Sequence, residues 1–204
     1  MKCIAKIHAA KGGGLPTFEG LAYTGVDMQP MGWGGRVVID LAGVVIPNQH
    51  RPVLRQHDPE KIAGHTTKVD VHRTKGITVA GVFSGQPEHV NAVVVPAKNG
   101  FQWQMSIGAD PLEISYLDAG KETKVNGRTV AGPLAISRRT VLGEVSFVPL
   151  GADGATSAYV NAKHAHKLLA AATPAQCWSI GERDDGDIDI KALTRQIMAE
   201  ARDD

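Results

Sequence analysis

Three segments of the chain carry residue types that fit hydrolytic chemistry. Ser106 lies on a predicted strand, His57 follows a short apolar stretch and begins a turn predicted for residues 57–59, and Glu144 lies on a later predicted strand. A serine hydroxyl is a poor nucleophile near neutral pH, so it needs a base that titrates there, and histidine is the usual one. A carboxylate beside the imidazole fixes its tautomer and stabilises the imidazolium. These residue types therefore predict nucleophilic catalysis by a serine if the fold brings the three segments together.

The alternation of side chains along a strand puts Ser106 and Glu144 on the polar faces of their strands. The opposite, apolar face of residues 101–108 (FQWQMSIG) consists of Phe101, Trp103, Met105 and Ile107. Residues 142–149 (LGEVSFVP) alternate in the same way, with Ser146 on the side of Glu144. A solvent-facing serine, a histidine at a turn and an acid on an edge strand are also common surface features. Each segment by itself is therefore compatible with no catalytic role.

Other polar residues offer weaker arrangements. The alternative carboxylates for His57 are Asp58, Asp70 and Asp153. Asp58 is adjacent in sequence and suits a cap of the following turn. The spacing of His57, His65 and His72 gives no pair of ligands one helical turn apart, and no cysteine lies nearby. The sequence thus predicts neither a zinc site nor another cofactor site.

Composition limits the function classes. The chain has 204 residues, of which 43% are hydrophobic, and this is enough for a packed core. Its 22 basic and 21 acidic residues argue against nucleic acid as the main partner. The longest apolar stretches, near residues 41–47 and 92–97, are far shorter than the roughly 20 residues that span a bilayer. Cys3 and Cys177 form no disulfide framework and no secretion signal is recognised, so we expect a reduced, cytoplasmic protein.

The remaining pattern predicts a β protein with few helices. Short Val/Ile-rich or alternating segments between glycine-rich turns indicate eight to ten strands, including residues 36–46, 52–56, 101–108, 112–117, 133–141 and 142–150. Hairpins are predicted for residues 62–72 with 76–84, and around Asn126-Gly127. Residues 87–98 and 162–172 are the predicted helices of the body. Such a set of elements favours a small barrel or a curled antiparallel sheet with helical packing.

The end of the chain differs in charge from the body. Residues 182–204 contain eight acidic and four basic side chains, whereas the other residues have a basic surplus. Thr173-Pro174 breaks the preceding pattern, and Ile190, Leu193 and Ile197 have helical spacing. We therefore predict a domain over residues 1–172, followed by a linker and an acidic helical tail over residues 173–204. The tail helix is interpreted either as a peripheral amphipathic helix or as a detachable, partner-binding segment.

The candidate segments occur together and in a fixed order, and this combination resembles a known family. The motifs are residues 52–59 (PVLRQHDP), 62–67 (IAGHTT), 104–108 (QMSIG) and 143–148 (GEVSFV). In these motifs the sequence is similar to the prohead (procapsid maturation) serine proteases of tailed bacteriophages, a family related to herpesvirus assemblin. The resemblance extends over residues 36–162. The third catalytic residue of the herpesvirus relatives is a histidine, and Glu144 agrees with the phage pattern instead.

The resemblance implies a fold and an activity. The fold is a closed, mostly antiparallel β-barrel of about seven strands flanked by a few helices. The activity is that of a serine endopeptidase that cleaves scaffold and capsid polypeptides, and its own chain, during procapsid maturation. Carried over by motif, Ser106 is the nucleophile, His57 the general base and acid, and Glu144 the group that orients His57. Backbone amides near Ile107 and Gly108 are candidates for the oxyanion donors, for which no motif is present.

The resemblance also implies partners and a location. We expect a capsid or scaffold polypeptide as substrate, a homo-oligomer (a dimer, by resemblance), and a site of action in the cytoplasm inside the procapsid. No nucleic acid, membrane, metal or nucleotide is expected as partner or cofactor. The alternative function is a non-catalytic β-barrel module of the same family that binds capsid or scaffold subunits.

Overall fold

The computed structural model describes residues 14–30 and 34–161. The strands in this part of the chain are β1 (Thr17–Tyr23), β2 (Val37–Ile39), β3 (Val44–Val45), β4 (Pro52–Arg55), β5 (Asp58–His72), β6 (Gly76–Val82), β7 (Gln104–Leu117), β8 (Glu122–Val125), β9 (Arg128–Ala131), β10 (Leu134–Val148) and β11 (Ser157–Asn161). The helices are a 3₁₀ turn (Leu41–Gly43) and α1 (Pro87–Lys98). The mostly β class is confirmed for these residues. None of their helices is long and apolar enough to cross a membrane.

Nine of these strands form one sheet, and the long strand β10 organises it. The main path is β11-β1-β6-β5-β4-β10-β2, and β3 and β7 also pair with β10. β10 runs parallel to β2, β3 and β4 and antiparallel to β7. Since β10 has 15 residues, its successive parts can pair with different short strands. β8 and β9 form a separate two-stranded hairpin.

The sheet curls strongly but is not closed. A Cβ added to Gly20 on β1 would come within 2.3 Å of the Met105 sulfur on β7, so the two strands pack closely across the core. One backbone hydrogen bond, 2.9 Å from Ala158 N to Trp103 O, joins β11 to the residue before β7. No ladder pairs β7 with β11 in the described residues. The expected closed barrel of about seven strands is therefore not confirmed, and the structure has an open nine-stranded sheet instead.

Aromatic rings fill the centre of the curled sheet. Phe18, Phe83 and Phe147 lie with their ring centroids 5.3 to 5.4 Å apart, and all three are almost fully buried. Helix α1 covers this core with Val90, Val93 and Val94. Burial of large apolar side chains stabilises the fold by about 1.5–3 kcal/mol for each side chain. The strands that carry the candidate residues are thus anchored from the side opposite to those residues.

Several predicted elements are confirmed. Helix α1 has the predicted bounds, because Pro87 suits its first turn and the three valines share its buried face. β5 pairs with β6, and β8 pairs with β9 across Asn126 and Gly127, so both predicted hairpins form. The predictions for residues 162–172, and for the linker and tail over 173–204, lie outside the described residues.

Other predicted boundaries are wrong. Residues 36–46 do not form one strand, because the 3₁₀ turn separates β2 from β3. Most of the segments 101–108 and 112–117 belongs to one strand, β7, which begins only at Gln104. Most of the segments 133–141 and 142–150 likewise belongs to β10, which ends at Val148. Pro111 lies between the first two predicted segments, and Gly143 lies close to the boundary between the other two. The β7–β10 ladder accommodates them through shifts of register, so both strands continue past these residues.

Candidate active site

The polar face of β10 carries two of the residues that build the site. Glu144 and Ser146 are two positions apart and therefore share a face. Val145 and Phe147, between and beside them, are fully buried in the core on the other face. The apolar alternation thus fixes the direction of Glu144, because turning it inward would expose Val145 and Phe147 to water.

Strand β7 adds Ser106 to the same face. Ser106 lies directly opposite Ser146 in the antiparallel ladder, and Gly108 lies opposite Glu144. Residues opposite each other in such a ladder share a face, with Cα atoms about 4.5–5.5 Å apart. Ser106 is half-buried, whereas Ser146 is fully buried. Of the two neighbouring serines, Ser106 is therefore the one that a substrate can reach.

A tight turn brings His57 to this face from the other side of β10. Strand β4 runs parallel to β10, with Leu54 paired to Ser146, and ends two residues before His57. Gln56 and His57 form the two-residue loop of the β4–β5 hairpin, with φ angles of 58° and 59°. Two positive φ angles in such a loop are typical of a type I′ turn. The predicted turn at residues 57–59 is therefore one residue too late, because Asp58 already begins β5.

The three side chains of His57, Glu144 and Ser146 are joined by hydrogen bonds. The His57 Nδ1 atom lies 2.6 Å from Glu144 Oε1. Ser146 Oγ donates to Glu144 Oε2 at 2.7 Å and accepts from the backbone N–H of His57 at 3.0 Å. The Glu144 side chain is only 16% exposed and that of His57 is 43% exposed. The carboxylate is thus held inside the site while the imidazole faces a potential substrate.

This arrangement assigns a tautomer to His57. An ionised carboxylate only accepts hydrogen bonds, so the neutral imidazole donates from Nδ1 and keeps the lone pair on Nε2. Nε2 is then the atom that can take a proton from a hydroxyl. The Glu144 charge also stabilises the imidazolium that forms when it does so.

A glycine provides the space through which Glu144 reaches His57. A Cβ added to Gly108 would lie 2.2 Å from Glu144 Oε1 and 2.8 Å from its Cγ, so the Glu144 side chain passes over the Gly108 Cα. Gly143 is the extra residue of a bulge in the ladder, since Leu142 pairs with Ala109 and Glu144 with Gly108. These two glycines let the carboxylate lie flat across the neighbouring strand.

Arg51 supports the same bulge. Its Nε and Nη2 atoms donate to the Gly143 carbonyl at 3.0 and 2.6 Å. The bulge carbonyl therefore has a charged donor in place of an ordinary ladder partner. Sequence reasoning did not identify Arg51 as part of the site, and it named Gly108 only as a candidate oxyanion donor, because the roles seen here depend on where the bulge falls. The sequence did contain a signal in the glycines that precede Glu144 and follow Ser106.

The structure brings some of the predicted residues into contact and not others. His57 and Glu144 are in direct contact, as described above. Ser106 shares their face, but no hydrogen bond joins it to His57 within residues 14–30 and 34–161. The catalytic roles of Ser106, His57 and Glu144 stay a prediction, as do oxyanion donors near Ile107 and Gly108.

The alternative carboxylates lie elsewhere in the structure. Asp58 forms an ion pair with Lys61, and its pKa is lowered by the hydrogen bond from that ammonium group and then by the Glu60 amide. Asp70 pairs with Lys68. Asp153 is buried and accepts from the Thr24 amide and hydroxyl, both at 2.7 Å. The structure gives each of these three aspartates a partner other than the His57 ring.

Metal binding was not predicted for this site. Within the described part of the chain, no group of three or more histidine, cysteine, aspartate or glutamate side chains could hold a metal ion.

No protein-family model and no curated protein matches this chain. Among solved structures, it is similar to the protease of Kaposi's sarcoma herpesvirus in complex with an allosteric inhibitor, with 16% identity and a TM-score of 0.42 over 80% of this chain and 84% of that one. It is also similar to the same virus's protease in complex with a hexapeptide phosphonate inhibitor, with 15% identity and a TM-score of 0.38 over 71% of this chain. The chain spans 64% of the length of that second structure. At these values, neither a family nor an activity follows from the similarity.

Proposed function

We propose that this protein is a serine endopeptidase in which Ser106 is the nucleophile, His57 the general base and acid, and Glu144 the residue that orients His57. The observation that carries this proposal is the 2.6 Å contact between His57 Nδ1 and Glu144 Oε1, on the face that presents Ser106. A carboxylate–imidazole pair beside an accessible serine is the arrangement that activates a hydroxyl.

The proposed reaction has two steps. Ser106 Oγ attacks the carbonyl carbon of a peptide bond while His57 Nε2 takes its proton, and the tetrahedral intermediate then expels the amine, which receives that proton. Water then attacks the acyl carbonyl carbon and gives a proton to Nε2. The intermediate releases the carboxylic acid product, and Nε2 returns that proton to Ser106 Oγ. Glu144 stays ionised throughout and stabilises the imidazolium. Attack requires Ser106 Oγ and His57 Nε2 to come within about 2.6–3.2 Å, and such contacts often tighten only when substrate binds.

The motif resemblance supports a narrower proposal about substrate and setting. In this proposal the enzyme cleaves scaffold or capsid polypeptides, and its own chain, during procapsid maturation in the cytoplasm, and it acts as a dimer. Co-expression with a candidate scaffold and capsid protein tests the substrate, with Ser106→Ala as the inactive control. Sedimentation at several protein concentrations tests the dimer. If the protein cleaves other peptides but leaves the scaffold intact, the proposed substrate is wrong and the proposed protease activity stands.

One observation favours a second function, that of a non-catalytic module which binds capsid or scaffold subunits. Ser106 and His57 are not joined by a hydrogen bond in the described residues. An inactive relative would retain the fold and the His57–Glu144 contact without a competent nucleophile. The module would bind scaffold polypeptide and leave it intact.

Active-site labelling separates the two functions. The full chain is treated with a fluorophosphonate, digested, and mapped by mass spectrometry, and a peptide library is used in parallel to detect cleavage. A protease gives one labelled residue, Ser106, and no label in Ser106→Ala. A folded protein that takes no label and cleaves no peptide would overturn the proposed enzyme and favour the binding module.

A further inference from the structure

The hydroxyl of Ser146 connects His57, the proposed general base, with Glu144, the residue proposed to orient it. We propose that Ser146 is a positioning residue of this site: it holds the Glu144 carboxylate and the His57 turn in the arrangement that keeps the His57 proton on Nδ1. This inference rests on the proposed function for its catalytic consequence, but the arrangement itself is measurable without catalysis.

The contacts form a closed circuit. The His57 backbone N–H donates to Ser146 Oγ at 3.0 Å, and the Ser146 hydroxyl donates to Glu144 Oε2 at 2.7 Å. Glu144 Oε1 then contacts the His57 ring at 2.6 Å. Each carboxylate oxygen thus has its own partner, so rotation of the carboxylate would break two hydrogen bonds at once.

Ser146 also supports an unfavourable backbone. His57 has a φ of 59°, a conformation that is uncommon for residues other than glycine and that persists only when the surroundings hold it. The bond from its backbone N–H to Ser146 ties this turn to β10. Because the backbone of His57 determines where its Cβ points, the same bond helps to direct the imidazole toward Glu144.

The burial of Ser146 excludes it as the nucleophile. Ser146 is 0% exposed. Its proton is donated to Glu144, and its oxygen already accepts from His57. A carbonyl carbon cannot approach this oxygen. The neighbouring Ser106 is half-buried, so the ladder places a buried serine and an accessible one side by side for different tasks.

A matched pair of variants isolates the hydroxyl. Ser146→Thr and Ser146→Val add nearly the same volume, and only Thr keeps an O–H. The smaller Ser146→Ala is made as well, in case the added methyl groups disturb packing. The control is Ser137→Val, which removes another buried serine hydroxyl of β10; that hydroxyl bonds Thr140 at 2.6 Å. Circular dichroism and melting temperature show which variants are folded.

Two measurements are made on the full chain. The first is the rate of fluorophosphonate labelling; we expect Ser146→Val and Ser146→Ala to be about 10–100-fold slower, since small misplacements of a catalytic group have effects of this size. Ser146→Thr and Ser137→Val should stay within about threefold of wild type on the same scale. The second is the ¹⁵N chemical shifts of the His57 imidazole, which report the tautomer. We expect the Nδ1–H form in wild type and Ser146→Thr, and a shift toward Nε2–H in Ser146→Val and Ser146→Ala.

The outcomes separate this inference from the proposed function. Unchanged labelling and an unchanged His57 tautomer in folded Ser146→Ala would overturn the positioning role while leaving the protease intact. An unlabelled wild type would overturn the protease, and the tautomer measurement would still decide the role of Ser146. If Ser146→Ala and Ser146→Val both unfold, Ser146 serves the fold and the positioning role is withdrawn.

Discussion

Two hydrogen bonds join a histidine to a serine in the part of the chain that the structure describes, one through the backbone N–H of His57 and one through the ring of His65. They differ in what surrounds them. At the candidate site, His57 contacts Glu144, and Ser146 completes the circuit. On β5, His65 Nδ1 lies 2.7 Å from the hydroxyl of Ser84, and the ring of His50 lies nearby at a centroid distance of 5.6 Å. Both serine–histidine distances lie within ordinary hydrogen-bond length.

The difference lies in the carboxylate. A hydroxyl both donates and accepts, so Ser84 does not determine which nitrogen of His65 carries the proton. Glu144 only accepts, so it fixes the proton of neutral His57 on Nδ1. Ser84 and His50 are also exposed to water, whereas Glu144 is only 16% exposed. Distance alone therefore does not distinguish the two histidines, whereas the chemical nature of the group that contacts Nδ1 does. The group formed by His50, His65 and Ser84 is therefore an internal control for the site.

The largest expected effect contrasts Ser106 with Ser84. Ser106→Ala should abolish labelling and lower peptide cleavage by about 10⁴-fold or more, because no other hydroxyl takes over. Ser84→Ala should leave both within about twofold, since loss of an exposed hydroxyl rarely disturbs a distant site. The measurements are labelling by mass spectrometry and cleavage of a peptide substrate.

The stability of Ser106→Ala shows whether a loss of activity reflects a loss of the fold. Ser106 is half-buried on a strand anchored by Met105, so its truncation should change the free energy of unfolding by less than about 1 kcal/mol. Loss of the folded circular dichroism spectrum in Ser106→Ala would point to a structural serine. Loss of labelling in Ser84→Ala would show that the reactive serine is Ser84, beside His65.

The next effect comes from the carboxylate. Glu144→Gln should lower cleavage by about 10²–10⁴-fold, less than Ser106→Ala, because an amide fills the space without stabilising the imidazolium and can favour the wrong tautomer. The control is Glu113→Gln on β7, opposite Arg139 in the ladder, which should stay near wild type. Wild-type kinetics for folded Glu144→Gln would show that another group orients His57.

A glycine tests how Glu144 reaches His57. Gly108→Ala places a Cβ where the Glu144 side chain lies, and Glu144 is long enough to swing aside without unfolding the strand. We expect about 10²-fold slower labelling, because the carboxylate is displaced from the imidazole. Gly154→Ala is the matched control, since a Cβ there meets nothing within 4 Å. Equal rates for both alanine variants would show that the Glu144–His57 contact tolerates displacement.

The sequence predicted the local features of this protein better than their combination. Helix α1 was predictable because Pro87 and the spaced valines are local signals. The merging of two predicted segments into β7 was not, because the continuation of a strand past Pro111 depends on its neighbour β10. Closure of the sheet likewise depends on contacts between distant strands, and closure is not found in the described residues.

In the site, too, local features were predictable and contacts between distant segments were not. Residue types and motif order pointed to His57 and Glu144, whose contact then follows from the parallel pairing of β4 with β10. The turn was misplaced because sequence rules expect glycine or asparagine where φ is positive, and Gln56 and His57 fit neither. The contribution of Arg51 depends on the bulge at Gly143, which no local pattern specifies.

The smallest expected effect concerns the acid that follows His57 in sequence. The pKa of Asp58 is lowered mainly by its hydrogen bond with Lys61, so the ionised form is favoured in the folded protein. A lowered pKa stabilises the fold above the ordinary carboxyl pKa, and this stabilisation is lost as the pH falls through the folded-state value. Asp58→Asn should therefore have a slightly lower melting temperature than wild type at neutral pH, and the difference should vanish in acid. Since solvent screens this pair, the difference is small.

The rate of Ser106 labelling should stay within about twofold of wild type in Asp58→Asn at neutral pH. Asp58 contacts Lys61, whereas the His57 ring contacts Glu144. If Asp58→Asn slowed labelling as much as Glu144→Gln, two carboxylates would orient His57. His57 would then differ from His65 in the negative charge near the 56–57 turn and not in the single contact with Glu144.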